Sequence, residues 1–221
     1  MFGRNIIRKP LKEYNGSFDV VEIFKTFQGE GPYTGHKSIF IRLGGCNLSC
    51  SFCDTEFDEF KAITLNDIIK EVKELAQNDE VRLVVITGGE PFIQHISFLC
   101  EKLIANRYKV QIETNGTLFR DVPKEVDIVC SPKNTGNGYK AVRSDILARV
   151  SCLKFLVSKY RDGYSVIPEV GQLEYNIPVY VQPIDEYDEV KNKQNLQYAI
   201  DLCLKYKYTL SVQMHKIMGV A

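Results

Sequence analysis

Three cysteines are crowded into one short run, Cys46, Cys50 and Cys53 in C-N-L-S-C-S-F-C. Three thiolates on such a loop can wrap a compact metal cluster but leave one iron without a protein ligand. A closed electron-transfer cluster uses four cysteines, and a structural zinc site wants four ligands, typically from two separated pairs. The spacing therefore favours an iron-sulfur cluster with one open coordination position over a zinc site completed by His36 or His215, or three unrelated thiols. Cys100, Cys130, Cys152 and Cys203 stand alone in apolar segments and read as small hydrophobes. The first fourteen residues lack the apolar stretch of a signal peptide. Seven cysteines without an export signal point to the reducing cytoplasm rather than to a disulfide framework.

Elements must bring these residues together. Short β-branched runs alternate with stretches of helical period, the pattern of βα units around a parallel sheet. Strands are expected at residues 19–24, 38–43, 82–87, 109–114, 126–131, 152–158, 178–183 and 208–213. Most are apolar on both faces, as buried parallel strands are. Thr64 has Asp67 three residues on, and Leu65, Ile68, Ile69, Val72 and Leu75 mark a stripe, which predicts a helix capped at Thr64 and ending near Gln77. Further helices are expected at 93–106 and 191–206, but little room exists for a full-length one between Val126 and Val157, which argues against a complete eight-fold barrel. The run 131–138, S-P-K-N-T-G-N-G, reads as a loop. With 44% hydrophobic content, no repeat and no linker, the 221 residues suit a single domain, 1–221.

The polar words fall at the ends of these strands. Cys46 follows a strand ending at Leu43, Gly88-Gly89-Glu90 one ending at Thr87, and Asn115-Gly116 one ending at Thr114. Ser131-Pro132-Lys133 and Gln182-Pro183 sit likewise. Active sites of α/β barrels and open parallel sheets form at the C-terminal edge of the strands, so these words converge on one mouth.

C-x3-C-x2-C after a strand, with a Gly-Gly-Glu strand end, resembles the radical S-adenosylmethionine superfamily. The resemblance implies a [4Fe-4S] cluster whose fourth iron is chelated by the methionine amino and carboxylate groups, with reductive cleavage of the sulfonium giving a 5′-deoxyadenosyl radical. It also implies an α/β fold, an incomplete (β/α)6 barrel with reduced helices and N-terminal and C-terminal extensions. Eight words in order are similar to one family within it, the 7-carboxy-7-deazaguanine synthases, which contract a pterin ring on the route to deazapurines such as queuosine. The words are F-K-T-F-Q-G-E-G (24–31), F-I-R-L-G-G-C-N-L (40–48), C-D-T (53–55), T-G-G-E-P (87–91), E-T-N-G-T (113–117), S-P-K (131–133), V-Q-P-I-D (181–185) and S-V-Q-M-H-K (211–216). Phe52 stands where the family often has tryptophan, and this chain has none.

What the resemblance implies can be carried over residue by residue. Cys46, Cys50 and Cys53 ligate the cluster. The Thr55 hydroxyl and the substrate hold Mg²⁺, whose taste is for oxygen and water, with Asp54 behind it or capping a helix. Phe27, Gln28, Gly29 and Glu30 offer an amide, a carboxylate and exposed backbone to the donor-acceptor edge of a pterin, although two glycines around a glutamate also make an ordinary turn. Arg42 can fork onto the substrate carboxylate, a structural ion pair being its plainer use. Thr87 lies against the pterin, and Gly89 and Glu90 against S-adenosylmethionine, the missing side chains of Gly88 and Gly89 letting backbone approach the ligand. Glu113 takes ribose hydroxyls, while Ser131, Pro132 and Lys133 with Gln182, Pro183, Ile184 and Asp185 contact the adenosyl moiety. His215 and the terminal Ala221 complete the substrate set. His36 and His95 match no word and read as surface or packing residues.

The implied reaction takes 6-carboxy-5,6,7,8-tetrahydropterin to 7-carboxy-7-deazaguanine with loss of ammonia. The hydrogen at C6 is taken and later returned, so that S-adenosylmethionine is regenerated. A glycyl-radical activase with the same cysteine spacing, and a zinc-stapled interaction module, are the alternatives. The resemblance further implies a homodimer and an electron donor such as flavodoxin. The 28 basic residues balance the 28 acidic ones, which argues against nucleic acid or an anionic membrane surface as partner. No apolar run reaches the roughly 20 residues of a membrane span.

Overall fold

The computed structural model describes residues 5–51, 53, 55–77 and 81–220. In chain order the elements are β1 (Ser17–Phe27), β2 (Lys37–Leu43), β3 (Lys61–Thr64), α1 (Leu65–Ala76), β4 (Leu83–Gly88), α2 (Ser97–Ala105), β5 (Lys109–Thr114), β6 (Asp127–Cys130), α3 (Ser144–Leu147), β7 (Cys152–Val157), β8 (Val179–Pro183), α4 (Glu189–Lys205), β9 (Thr209–Leu210) and α5 (Met214–Met218). The strands form one nine-stranded sheet in the order β3-β1-β2-β4-β5-β6-β7-β8-β9. From β2 to β9 every pairing is parallel, with registers such as Ser38↔Leu83, Val85↔Gln111 and Leu153↔Val179. The sheet is open, since β3 and β9 are its two ends, and this is the incomplete barrel expected from the sequence.

Period-two alternation divides the strands between two faces. Ile39, Ile41, Val84, Ile86, Val110, Ile112, Leu153 and Phe155 join the core, against which Ile68, Ile69, Val72 and Ala76 of α1 pack. Arg42, Thr87, Glu113 and Lys154 are turned to the other face, which lines a cavity. The cap of α1 forms as predicted, with Thr64 Oγ1 accepting from Asp67 N at 3.2 Å and Gln77 ending the helix in the left-handed region at φ 47°. α4 begins at Glu189, two residues before the expected 191, because Asp188 caps it by accepting from Lys191 N. The segment between β6 and β7 holds only the four-residue α3, matching the lack of room there.

α2 begins at Ser97, not at the expected 93, because Pro91–Ile93 form a separate 3-10 turn, and three strands differ in direction, number or length. β1 is antiparallel to its neighbours, since the connection 28–36 is too short for a parallel crossover, which takes a dozen residues or more. β3 is an additional strand, made when the brief run K-A-I-T pairs with the start of β1. The last strand, expected at 208–213, keeps only Thr209 and Leu210 in the sheet, because the following residues turn toward the cavity.

The reversal of β1 has a functional consequence. Its C-terminal end lies at the N-terminal edge of the parallel strands, and the loop 28–36 crosses that edge. Tyr33 Oη donates to Asp127 Oδ2 at 2.5 Å, and Lys109, 3.2 Å from the same carboxylate, covers the Tyr33 ring. The open side is bridged by Met214 N donating to Gly29 O at 3.0 Å and Gly31 N to Ser211 Oγ at 3.1 Å. Among the described residues no helix is long and apolar enough to cross a membrane.

Candidate active site

The polar face of the sheet opens into a cavity of about 630 Å³. One wall carries Cys46, Cys50, Cys53 and Thr55. The loop bearing them is held from several sides: Arg8 N donates to Cys46 O at 2.7 Å, Gly45 N to Phe57 O at 2.9 Å, and Cys53 N to Cys50 O at 3.1 Å. Asn5 Nδ2 reaches Thr55 O at 3.1 Å. Asn47 latches the same loop to the end of β5, receiving Asn115 Nδ2 at 3.0 Å and donating to Thr117 Oγ1 at 2.8 Å. Burial pushes the Cys46 thiol up to about 12, and the nearby Glu90 and the other two cysteines add to it. Cys50 is raised by burial, against the pull of Lys133.

A bound cation would convert such thiols to thiolates. Among the described residues no three His, Cys, Asp or Glu side chains stand together as a single metal ion requires. Cys46, Cys50 and Cys53 share one wall, and Cys46 is close enough to feel the other two; three thiols from one short loop are the ligands of a cluster with one iron left open. The donor set therefore fits a [4Fe-4S] cluster with three protein ligands. Phe52, Asp54 and Ala221 lie outside the described residues.

The turn after β4 meets this wall. A Cβ on Gly88, whose φ is +118°, would lie 2.1 Å from Leu43 O, and one on Gly89 would lie 1.8 Å from Gly45 O. Both glycines line the cavity. The space their side chains would fill is, however, already occupied by backbone, that of Leu43 at the end of β2 for Gly88 and that of the cysteine loop for Gly89, so close packing of protein on protein is what requires glycine there. Glu90 is fully buried and turned away from the cavity. Its Oε1 accepts from Phe92 N at 3.1 Å and Thr114 Oγ1 at 2.8 Å, and its Oε2 from Asn115 N at 2.7 Å. Burial raises its carboxyl to about 7 against these three donors. Glu90 thus ties the turn to the end of β5.

The opposite side of the cavity is a hydrogen-bonded floor. Glu113 accepts from Gln28 Nε2 at 3.1 Å, Gln111 Nε2 at 3.2 Å and Thr87 Oγ1 at 3.2 Å. Gln28 in turn accepts from Glu30 N at 3.0 Å. The Glu30 carboxylate pairs with Lys154 and accepts from Gln213 Nε2 at 3.0 Å. Although burial pushes it up, Lys154 and Gln213 hold the Glu30 carboxyl below the usual carboxylate range. His215 is seated on Gly29, where a Cβ would come within 2.1 Å of its Nδ1. Phe27 and Arg42 also line the cavity, Arg42 donating through Nε to the half-exposed Glu22 at 2.7 Å.

Ser131, Lys133, Gln182, Pro183, Ile184 and Asp185 line the remaining wall. Lys133 Nζ donates to Ser131 Oγ at 2.7 Å, and Gln182 Oε1 accepts from Ser211 Oγ at 3.0 Å. Asp185 accepts from Lys216 Nζ at 2.8 Å, Asn192 Nδ2 at 2.7 Å and Tyr187 N at 2.8 Å, and these bonds lower its carboxyl in spite of burial. Pro132 lies between two wall residues but not on the wall itself.

Of the described residues read from the sequence as site residues, all but Glu90 and Pro132 line the one cavity. The structure adds Lys154 and Gln213, which sequence reasoning missed, and the Asn47–Asn115 latch. Lys154 had a visible signal, a lone cation within the apolar strand C-L-K-F-L-V. His36 and His95 lie elsewhere, His36 exposed and bonded to Tyr33 O, His95 bonded to Leu11 O and Arg120.

Comparison with known proteins agrees with this geometry. The sequence model of the Radical SAM superfamily matches residues 40–131. The 7-carboxy-7-deazaguanine synthase of Rickettsia prowazekii is 51% identical over 224 residues, which cover 100% of this chain and 96% of that protein. The synthase of Rhodospirillum rubrum is 35% identical, with 100% of each chain covered. The crystal structure of QueE from Escherichia coli superposes with a TM-score of 0.74 at 29% identity, covering 90% of this chain and 95% of that one. The chain belongs to the 7-carboxy-7-deazaguanine synthase family of radical S-adenosylmethionine enzymes.

Proposed function

We propose that this protein converts 6-carboxy-5,6,7,8-tetrahydropterin to 7-carboxy-7-deazaguanine and ammonia. The family implies a [4Fe-4S] cluster and S-adenosylmethionine. When bound, these supply a carbon-centred radical, able to take a C–H hydrogen, by one-electron cleavage of the sulfonium. Cys46, Cys50 and Cys53 would hold three of the irons. Gly89, Ser131, Lys133 and the stretch from Gln182 to Asp185 form the wall available to the cofactor, and Pro132 sets the path between Ser131 and Lys133.

The chain's contribution to the reaction is placement and exclusion of water. Glu30, with Gln28, Gly29 and Phe27 around it, presents a carboxylate to the donor edge of the pterin. Arg42 has guanidinium donors for the substrate carboxylate. Thr55 offers a hydroxyl on the cysteine wall, where Mg²⁺ shared with that carboxylate would find the oxygen ligands it prefers. Glu113, read as a partner of ribose hydroxyls, already binds Gln28 and Thr87, so it links the cofactor and substrate halves. His215, seated on Gly29, covers the substrate end. Ring contraction and loss of ammonia balance without any external oxidant, since the hydrogen taken from the substrate is returned to it.

The observation that most supports this reading is that the cysteine wall and the Glu30 floor face a single cavity, in a chain half identical to a synthase over its whole length. The reading brings with it a single domain over 1–221, a cytoplasmic location, a homodimer and an electron donor such as flavodoxin. The experiment is anaerobic turnover of the reconstituted enzyme with the carboxypterin, S-adenosylmethionine, Mg²⁺ and a reductant, followed by mass. Product lighter by one ammonia, with S-adenosylmethionine not consumed, supports the proposal. Unchanged carboxypterin refutes it.

A further inference from the structure

Lys154 stands in the middle of β7, 5% exposed, its neighbours Leu153 and Phe155 directed into the core. A buried ammonium is costly unless it is paired. Its partner is Glu30, carried by the loop 28–36 that enters from the opposite edge of the sheet. The two carboxylate oxygens are divided, Oε2 to Lys154 and Oε1 to Gln213 Nε2. Three segments far apart in the chain therefore meet on one carboxylate that lines the cavity. We propose that Lys154 is a positioning residue for the ring contraction, holding Glu30 as a fixed acceptor against the donor edge of the pterin. The inference rests on the function proposed above.

Each carboxylate oxygen has two acceptor sites. With one taken on each by Lys154 and Gln213, one remains on each for the substrate, a pair suited to adjacent N–H donors such as those of an amino-lactam. A protonated Glu30 would turn one of these acceptors into a donor. Burial favours that protonation, and the ion pair with Lys154 prevents it. The charged and titratable groups facing this pair are His215 from the C-terminal segment, Glu113 from β5 and Cys152 from β7 itself. Glu113 draws on the same ammonium, so Lys154 balances two carboxylates.

The test is K154M in the reconstituted enzyme, with wild type measured alongside at each pH. Iron content should match wild type, and S-adenosylmethionine binding, which Lys154 touches only through Glu113, should change less than carboxypterin binding. Affinity for the carboxypterin should fall about tenfold or more, the size of a lost charged hydrogen bond, and recover as pH rises and Glu30 ionises. K154R, which keeps the charge, should restore most of the affinity. The double variant E30Q/K154M should bind no more weakly than E30Q. A K154M affinity within about threefold of wild type, or a loss independent of pH, overturns the inference. If K154M does not fold, the double variant, which buries a neutral pair, decides it: a further tenfold loss relative to E30Q overturns the inference, and equality supports it. Wild-type enzyme that leaves the carboxypterin unchanged overturns the function itself, whereas wild-type turnover with K154M unaffected overturns only the role of Lys154.

Discussion

Gly89→Ala should damage the turn after β4 through sterics alone, and the reason lies in its neighbours. The new Cβ would sit 1.8 Å from Gly45 O, 2.4 Å from Gly45 C and 3.0 Å from Cys46 N. Since real contacts essentially never fall below 3.0 Å, the Gly45 carbonyl and Gly89 must separate by roughly 1.2 Å more, and both are backbone. The movement breaks or lengthens the bond from Glu90 N to Gly45 O, now 2.9 Å, and carries Cys46 with it. Overpacking costs about 1–3 kcal/mol and one poorly made buried backbone bond about 1 more, giving roughly 2–4 kcal/mol. Gly136→Ala is the control: φ is +100°, but nothing lies within 4 Å of its Cβ, so backbone strain of about 1–2 kcal/mol, with no loss of iron uptake, is all it should cost. Urea denaturation of the cluster-free chains reads both numbers, and iron per chain after reconstitution reads the displacement of Cys46. If G89A were within about 1 kcal/mol of wild type and took up full iron, the close packing of β4 on the cysteine loop would be refuted.

Glu90→Gln should cost about 2 kcal/mol by the same assay, because all three partners of the carboxylate are donors and the amide must face one of them with another donor; stability equal to wild type would contradict this. The acid limb of stability should depend on the Glu30–Lys154 pair. Glu30 has a lowered carboxyl, so its contribution is present above its ordinary value of 4.5 and is lost as pH falls below it. Denaturation midpoints of E30Q/K154M should accordingly vary less with pH on that limb than those of wild type. Parallel curves would remove the pair from the account.

Much of the fold was legible because local chemistry and packing agree. Thr64 and Gln77 mark both ends of α1, and β5 matches 109–114 because its apolar positions have no competing use. The polar words meet because parallel strands all end at one edge, which any sequence reader can exploit without knowing the strand order. The direction of β1 was hidden, since an apolar run carries no sign of its orientation; only the length of the connection 28–36 limits it. β3 was hidden for another reason: its four half-polar residues become a strand only because β1 supplies an edge. The resemblance sets Glu90 against S-adenosylmethionine, yet Phe92 N in its own turn and two donors at the end of β5 draw it inside. Lys154 was read as part of an apolar strand, and the carboxylate that permits its burial comes from a loop 124 residues earlier in the chain.

The central claim is that the cysteine wall leaves one iron for S-adenosylmethionine, and electron paramagnetic resonance of the reduced, reconstituted protein tests it most directly. A four-iron cluster signal that changes when S-adenosylmethionine is added, and that is absent from a variant with Cys46, Cys50 and Cys53 replaced by serine, is the predicted result. Bound zinc in place of iron, or a cluster signal indifferent to S-adenosylmethionine, would contradict the account.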